Sequence, residues 1–263
     1  MQLWKWKQWN GNSFLTCELL PLSHGFFTRQ FYPASPNELV GALSDSAEVI
    51  RVKQVHSANV MTPTEIELIT SKEASTTIEN RVAFPLADGV VTQKPQQSVW
   101  ACSADCTPAL ICDARTKQAA AVHAGWRGTA KKILPIAIAQ MIDQGSRLED
   151  LRVALGPAID GSVYQVDNSV AYEVGQTVAP NLNQDELIER LLTMKSPPML
   201  SDSEFGKVRL DVRRINQMQL KQVGLADEQI EIAPYCTYQN PDLFFSYRRT
   251  REKKNQWAGI VSA

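Results

Sequence analysis

The middle of the chain, residues 98–128, is the part of the sequence that most limits how it can fold. It holds three short apolar runs, at residues 99–103, 109–112 and 119–122, and each has the length and composition of a buried β-strand. The runs follow one another with only short segments between them. This order predicts strands that pair within a sheet without a helix between every two of them.

The rest of the chain mixes strand and helix patterns. Residues 1–9 alternate aromatic with polar side chains, which predicts a half-buried first strand. Further strands are predicted at residues 13–19, 25–28, 49–54, 89–92, 151–155, 230–232, 244–247 and 258–261. Helices are predicted at residues 36–43, 129–144, 169–178, 185–193 and 210–223. Pro135 should either kink the second of these helices or mark its true first turn. The polar residues 61–80 are expected to form a surface excursion. Together these patterns predict a mixed α/β protein.

Overall charge and hydropathy exclude several kinds of partner. The net charge is −1, so nothing favours a nucleic acid or an anionic membrane. No apolar run approaches the roughly 20 residues that span a bilayer, and residues 1–9 lack the apolar core of a signal peptide. We therefore expect a cytoplasmic protein. Its 263 residues fit one large domain or two small ones, and no pattern indicates its oligomeric state.

Cysteine and histidine usage narrows the chemistry. The five cysteines are an odd number without a CxxC pair, which argues against a disulfide framework and a structural zinc ribbon. Three of them lie within residues 102–112, where most are expected to be small buried hydrophobic side chains. Histidine occurs only at His24, His56 and His123, so a reaction that needs imidazole must use one of these three.

His56, Cys106 and His123 each lie where a predicted strand meets a loop. Such positions belong to a rigid scaffold but face a cleft. Two imidazoles and a thiolate, with a fourth position left for water or substrate, are the ligand set of a catalytic zinc site, and they suit copper far better than Mg²⁺ or Ca²⁺. Each residue also has a simpler interpretation, as a hydrogen-bonded structural histidine or a buried cysteine. Their spacing matches no local metal-binding motif.

The segment after His123 suits an anion. Gly125 and Gly128 allow close backbone approach and unusual backbone angles. The helix predicted to begin at Thr129 would present an N-terminus that favours negative charge, with Arg127 beside it. The loop is therefore a candidate site for a phosphate or a carboxylate.

Eight short motifs occur in the order found in one known family. They lie at residues 24–29 (HGFFTR), 54–57 (QVHS), 87–89 (ADG), 104–108 (ADCTP), 123–128 (HAGWRG), 155–159 (LGPAI), 235–237 (YCT) and 244–249 (FFSYRR). On these motifs the chain resembles the YfiH/DUF152 family, also called the multicopper polyphenol oxidoreductase (laccase) family or the peptidoglycan editing factor family. The chain departs from the family pattern at Ser57 and Gly89, and after Arg29, where a Gly- and Ser-rich stretch is missing.

The resemblance implies both a fold and a function. The fold is one domain over residues 1–263, made of stacked mixed β-sheets flanked by helices in α/β/β/α layers. The zinc ligands would be the histidine of QVH, the cysteine of ADC and the histidine of HAGWRG, which match His56, Cys106 and His123. The implied activities are phosphorolysis of adenosine, inosine and methylthioadenosine, and deamination of adenosine. Copper-dependent oxidation of phenols is also attached to the family name.

The matching motifs supply catalytic candidates for such reactions. Cys106 and His123 are the first two. Asp88 and Asp105 are the carboxylates that could move protons in a deamination, as in other zinc deaminases. A turn-capping role is an equal alternative for each aspartate.

Substrate-binding candidates come from the same motifs. Arg29, Arg127, Arg248 and Arg249 could bind phosphate, because a guanidinium offers paired hydrogen-bond donors, although most arginines simply lie on the surface. Arg29 and Arg127 are the two preferred candidates. Gln54, two residues before His56, is the third candidate. The expected partners are a purine nucleoside and phosphate.

Three other functions stay open on the sequence. Without metal, Cys106 could be the nucleophile and His123 its base in a hydrolase or transferase. Copper at the same residues could oxidise phenols weakly, although three histidines cannot supply a multicopper centre. A non-catalytic binding protein is the third, with Trp126 either stacking on a purine or filling the cleft wall.

Overall fold

In the part of the chain that the structure describes, two six-stranded sheets and one three-stranded sheet form the frame. The computed structural model describes residues 3–74 and 84–263. The strands are β1 (Trp4–Trp9), β2 (Asn12–Cys17), β3 (His24–Phe27), β4 (Glu48–Ile50), β5 (Val60–Met61), β6 (Gly89–Val91), β7 (Gln97–Ser103), β8 (Thr107–Asp113), β9 (Ala119–Ala124), β10 (Leu151–Leu155), β11 (Gln165–Asp167), β12 (Met199–Ser201), β13 (Lys207–Leu210), β14 (Ile230–Ile232) and β15 (Gln256–Val261). The helices are α1 (Pro36–Leu39), α2 (Pro63–Ala74), α3 (Trp126–Ala130), α4 (Ile133–Asp143), α5 (Asn168–Gly175), α6 (Gln184–Leu192), α7 (Val212–Gln222) and α8 (Tyr247–Thr250).

The two large sheets pack face to face. The first has the strand order β1-β2-β3-β15-β7-β4 and the second β14-β10-β8-β9-β6-β5. One hydrophobic cluster lies between them and draws on both, for example Leu15 and Val99 from the first sheet and Leu110 and Ala121 from the second. Since strand side chains alternate between the two faces, Ala109 and Ile111 of β8 face the opposite side, so this strand is buried on both faces.

Helices cover the outer faces of both sheets. Outside the first sheet, Phe27 and Trp100 pack with Leu39 of α1. Outside the second sheet, α4 contributes Leu134 and α7 contributes Leu220 to a further cluster. The layers therefore run helix, sheet, sheet, helix, which confirms the predicted α/β/β/α arrangement.

The third sheet was not predicted. Its strand order is β11-β13-β12, and it packs with α5 and α6 around Val174, Leu187 and Leu210. Its strands contain only three or four residues and include exposed polar side chains, so they carry little of the apolar alternation that marks a strand. Trp126 of α3 is partly buried and packs against this cluster.

Several predicted elements need correction. The strand predicted at residues 244–247 is wrong: Phe244 and Phe245 are buried in a loop, and α8 follows, with the Ser246 hydroxyl accepting from the Arg249 N–H. The predicted strand 49–54 ends at Ile50. Burial alone made both segments look like longer strands.

Two helical regions also differ from expectation. The predicted helix 129–144 is divided into α3 and α4, because Lys132 between them has a left-handed backbone with φ of 59°. Pro135 lies in the first turn of α4, which was one of its two expected places. In the expected surface excursion 61–80, α2 occupies Pro63–Ala74, and residues 75–80 lie outside the described residues. Within the described parts of the chain, no helix has the length and apolar character needed to cross a membrane.

His24 in β3 is buried, with both ring nitrogens bonded to backbone groups. The Cys17 N–H donates to Nε2 at 2.8 Å, and Nδ1 donates to the Leu22 carbonyl at 2.7 Å. These contacts fit the neutral ring, because a proton on Nε2 would face the Cys17 N–H. Burial lowers the pKa of His24 to about 4.

This histidine should make the protein less stable in mild acid. An unfolded chain protonates His24 near pH 6.5, but the folded protein resists protonation until about pH 4. The unfolded state therefore binds more protons in this window, and the free energy of unfolding should fall by about 3 kcal/mol as pH drops through it. Above pH 6.5 the contribution of His24 to the free energy of unfolding is fully present. In urea unfolding, the stability difference between wild type and His24→Gln should shrink as the pH falls; a pH-independent difference would contradict this.

Candidate metal centre and active site

The pairing of β8 with β9 places Cys106 at the edge of the second sheet. Thr107 and Ala124 are partners in this antiparallel pair. Continuing the same register by one position brings Cys106, which directly precedes β8, opposite Gly125. A Cβ atom on Gly125 would lie 2.8 Å from the Cys106 Sγ, so glycine is required here by close packing.

The pairing of β6 with β9 brings Asp88 opposite His123. Gly89 and Val122 are partners, and the next pair outward is Asp88 with His123. The His123 N–H donates to the Asp88 carbonyl at 2.7 Å. The side chains also meet, with 2.9 Å between His123 Nδ1 and Asp88 Oδ1. Strand register therefore places a buried carboxylate directly behind the buried histidine.

His56 lies in the loop between β4 and β5 and is held there by the same carboxylate. Asp88 accepts from the backbone N–H groups of Val55, His56 and Ser57 at 3.2, 3.0 and 2.6 Å, and from the Ser57 hydroxyl at 2.8 Å. His56 has a left-handed backbone with φ of 59°, which is uncommon outside glycine. The backbone contacts to Asp88 hold this conformation and aim the imidazole at the sheet edge.

The three predicted ligands come together at this edge. The donor atoms of His56, Cys106 and His123 all lie within 4.8 Å of one another, and the Cys106 Sγ is 3.9 Å from the His56 Nε2. A tetrahedral zinc ion would hold sulfur and nitrogen about 3.6 Å apart, so the three donor atoms, which lie up to 4.8 Å apart, would draw closer together on binding it. His56 is exposed, Cys106 half-buried and His123 buried, which leaves one side of the site open to solvent. The donor set and its spacing thus fit a metal, with room for a further ligand.

Asp88 also fixes the protonation of His123. Burial alone would raise the pKa of Asp88, but hydrogen bonds from His123 and Ser57 lower it to about 2. The carboxylate is therefore charged and accepts the Nδ1 proton of His123, which leaves Nε2 as the atom available to a metal. This arrangement makes Asp88 a residue that orients two of the candidate ligands, His56 and His123.

Cys106 is set apart electrostatically from its neighbour Cys102. Burial acts to raise the pKa of the Cys106 thiol, but the charge of His123 and hydrogen bonds with both histidines lower it to about 6. Conversely, burial acts to lower the pKa of His123, and the Cys106 thiolate with the Asp88 hydrogen bond raises it to about 9. The Cys102 thiol has a pKa raised to about 11, mainly by burial. Cys106 is thus the thiolate at this edge.

Replacing Gly125 by alanine should damage the site without unfolding the protein. Gly125 has an extended backbone, with φ of −70° and ψ of 169°, that any residue can adopt, so the only cost is the contact with Cys106 Sγ. We expect metal affinity to fall by about 10-fold or more, measured by competition with a chromogenic chelator. Gly41→Ala is the matched control, because its Cβ would meet only the end of the Trp9 side chain at 3.2 Å. Equal metal affinity in both variants would contradict the prediction.

The Asp105 side chain, unlike that of Asp88, bonds to the C-terminal part of the chain. Its carboxylate accepts from the Thr237 hydroxyl and from the Arg248 N–H, both at 2.7 Å. Its side chain is therefore engaged with the C-terminal part of the chain, while its backbone precedes Cys106. Its catalytic role stays a prediction.

The predicted substrate-binding residues separate into two groups. Gln54 exchanges hydrogen bonds with the backbone of Cys102, at 2.8 Å from Nε2 to the carbonyl and 2.7 Å from the N–H to Oε1. Arg29 donates to the Pro241 carbonyl and lies over the Phe245 ring. Both side chains hold the fold together, whereas Arg127 is exposed.

Tyr164, which no sequence pattern singled out, lies close to Arg248 of the FFSYRR motif. The Arg248 guanidinium lies 4.8 Å from the centre of the Tyr164 ring. Burial raises the pKa of Tyr164 to about 12, and the charge of Cys106 adds to this while Arg248 and Arg127 oppose it. The charges of Cys106, Asp105 and both arginines therefore all act on the Tyr164 hydroxyl. Tyr164 precedes one of the unpredicted short strands, so no sequence signal marked it.

Comparison with known proteins places this geometry in a family. Residues 36–263 match the family model described as multi-copper polyphenol oxidoreductase laccase. The chain is 51% identical to a protein of Synechocystis sp. named purine nucleoside phosphorylase slr1573, over 99% of this chain and 97% of that one. It is 26% identical to a protein of an unknown prokaryotic organism named adenosine deaminase RL5, over 78% of this chain and 71% of the other.

A solved structure shows the same fold. The YfiH protein of Bacillus licheniformis superposes with a TM-score of 0.76 at 24% identity, over 97% of this chain and 98% of that one. Its fold and the family match agree with the resemblance carried by the ADC and HAGWRG motifs. The chain belongs to the multi-copper polyphenol oxidoreductase laccase family, the family of the YfiH and DUF152 proteins.

Proposed function

We propose that this protein is a zinc-dependent purine nucleoside phosphorylase, acting as a single domain of residues 1–263. Adenosine, inosine and methylthioadenosine are the proposed nucleosides, and deamination of adenosine is proposed as a second reaction at the same site. The observation that carries the proposal is the 51% identity, over nearly the whole length of both chains, with a protein named purine nucleoside phosphorylase. The relative named adenosine deaminase supports the second reaction.

We propose His56, Cys106 and His123 as the metal ligands. Their donor atoms lie within 4.8 Å of one another, and the thiolate and two imidazoles suit zinc, with copper as the alternative. A bound zinc ion would supply Lewis-acid chemistry, polarising a substrate oxygen or lowering the pKa of water. Asp88 keeps the His123 Nδ1 protonated and the His56 loop in place.

Phosphorolysis requires the chain to hold phosphate beside the ribose. A phosphate oxygen forms a bond to C1′, the bond from C1′ to the purine nitrogen breaks, and the purine leaves with that electron pair and takes up a proton. Arg127, whose side chain is exposed, and Arg248, whose guanidinium lies over the Tyr164 ring, are the proposed phosphate-binding residues. Arg249 is less suited, because its guanidinium donates to the carbonyls of Thr237, Tyr238 and Phe244.

A metal-free reaction is the second candidate, and one observation favours it. The lowered pKa of Cys106, about 6, and the raised pKa of His123, about 9, describe a thiolate beside an imidazolium. That pair resembles the nucleophile and base of cysteine hydrolases. Phenol oxidation by several coppers has less support, because the chain has only three histidines and His24 is bonded to the backbone elsewhere.

Incubation of the pure protein with adenosine, with and without inorganic phosphate, tests the proposal. Adenine that forms only with phosphate supports phosphorolysis, and inosine formed in either condition supports deamination. The His123→Ala variant should lose both activities, because it removes a proposed ligand. If neither product forms, or if His123→Ala is as active as wild type, the proposal fails.

A further inference from the structure

Asp105 combines three features that its neighbours do not share. Its side chain is buried, with 9% of the residue exposed. Its backbone has φ of 97°, a conformation that residues other than glycine rarely adopt. Both carboxylate oxygens are engaged, Oδ1 by the Thr237 hydroxyl and Oδ2 by the Arg248 N–H, each at 2.7 Å. Strained backbone persists only where the surroundings hold it, and here two hydrogen bonds do so.

These two hydrogen bonds link the turn that contains Asp105 and Cys106 to the segment that carries Arg248. The Arg248 N–H lies in the first turn of α8, so the carboxylate fixes the start of that helix. From there the Arg248 guanidinium reaches back, donating to the Gln165 carbonyl at 3.0 Å and lying over Tyr164. A third contact, from the Ile159 N–H to the Asp105 carbonyl at 2.9 Å, holds the turn from the other side.

We propose that Asp105 is a positioning residue that fixes the thiolate of Cys106 and the guanidinium of Arg248 relative to each other. It acts through its neighbours, because the two oxygens a substrate would need are already bonded within the protein. Removing the carboxylate should loosen the hold on the turn that carries Cys106 and should release the start of α8. The proposal concerning Cys106 rests on the metal site, and only the part concerning Arg248 rests on the proposed phosphorolysis.

Asp105→Gly is the most informative variant. Glycine accepts the φ of 97° without strain, so this change removes the two hydrogen bonds while the backbone conformation stays available. Asp113→Asn is the matched control. Asp113 is a fully buried aspartate at the other end of β8, where it accepts from the backbone N–H groups of Arg115 and Thr116 at 2.7 and 2.8 Å.

Two measurements test the proposal on the full chain. The first is Co²⁺ binding to metal-stripped protein, followed by the thiolate-to-cobalt absorption band, which reports the geometry at Cys106. We expect Asp105→Gly to weaken Co²⁺ binding by about 10-fold or more and to alter this band. The second is phosphorolysis, in which KM for phosphate should rise more than kcat falls. Asp113→Asn should change neither measurement.

Two conservative substitutions of Thr237 provide the test if the Asp105→Gly variant does not fold. Thr237→Val removes one of the two bonds and should shift both measurements in the same direction, and Thr237→Ser should restore them. Wild-type Co²⁺ affinity and spectrum in Asp105→Gly, or in Thr237→Val, would overturn the proposal. If wild-type protein lacks phosphorolysis, the proposed function fails, and the cobalt measurement alone still decides the role of Asp105 towards Cys106.

Discussion

Replacing Cys106 by serine is expected to reduce phosphate-dependent release of adenine by about 10³-fold or more and to weaken zinc binding with it. The lowered pKa of Cys106, about 6, makes it a thiolate at neutral pH, whereas a serine hydroxyl stays protonated. The change removes both the negative charge and the soft sulfur donor, and it alters the size of the side chain very little. Metal analysis and adenine release should be measured on the same preparation.

Cys102→Ser is the matched control for this prediction. Cys102 lies on β7, and burial raises the pKa of its thiol to about 11, so it is neutral under the same conditions. We expect metal content and activity to match wild type in this variant. If the two serine variants lost activity equally, or if Cys106→Ser kept its metal, the assignment of Cys106 as a ligand would be wrong.

Asp88→Asn should be the most damaging change outside the three ligands. The carboxylate accepts from three consecutive backbone N–H groups, the Ser57 hydroxyl and His123 Nδ1. An amide places a donor where one oxygen was, so at least two of these bonds are lost within a buried site. We expect the free energy of unfolding to fall by about 3 kcal/mol, and metal affinity to fall by about 10- to 100-fold.

The Ser57→Ala variant separates the effect of Asp88 on stability from its effect on metal affinity. It removes a single donor to the Asp88 carboxylate and leaves the bond to His123 intact. We expect a loss of about 1 kcal/mol in stability with metal affinity close to wild type. Thermal unfolding and chelator competition on both variants give the comparison. Wild-type metal affinity in Asp88→Asn, despite lower stability, would show that the carboxylate does not orient the ligands.

The grouping of the three candidate ligands could be predicted from the sequence, but the contacts that support them could not. His56, Cys106 and His123 follow from scarce histidines, apolar strands and specific motifs, and their donor atoms lie within 4.8 Å of one another. The role of Asp88 depends on the register of β6 against β9, which places it opposite His123. Apolar runs locate strands along the chain but do not specify which residues pair across them.

The α/β/β/α layers were implied by the resemblance to the YfiH/DUF152 family, whereas the apolar runs themselves predicted only a mixed α/β protein with paired strands. Strands that are buried on both faces, such as β8, appear in the sequence as continuous apolar runs, whichever strands they pair with. The short strands β11, β12 and β13 lack such apolar runs, so the sequence does not predict them. Tyr164, which directly precedes β11, could not be identified for the same reason. Phe244 and Phe245 are the opposite case. Their apolar side chains predict a strand, but they are buried in a loop that pairs with no strand among the described residues.

The most direct test of the central claim is phosphate-dependent adenine release by metal-stripped protein, before and after addition of one equivalent of zinc. If His56, Cys106 and His123 hold a catalytic metal, the stripped protein should be inactive and zinc should restore adenine release. His56→Ala, treated in the same way, should stay inactive. Full activity of the metal-free protein would contradict the account and would assign the reaction to Cys106 and His123 alone.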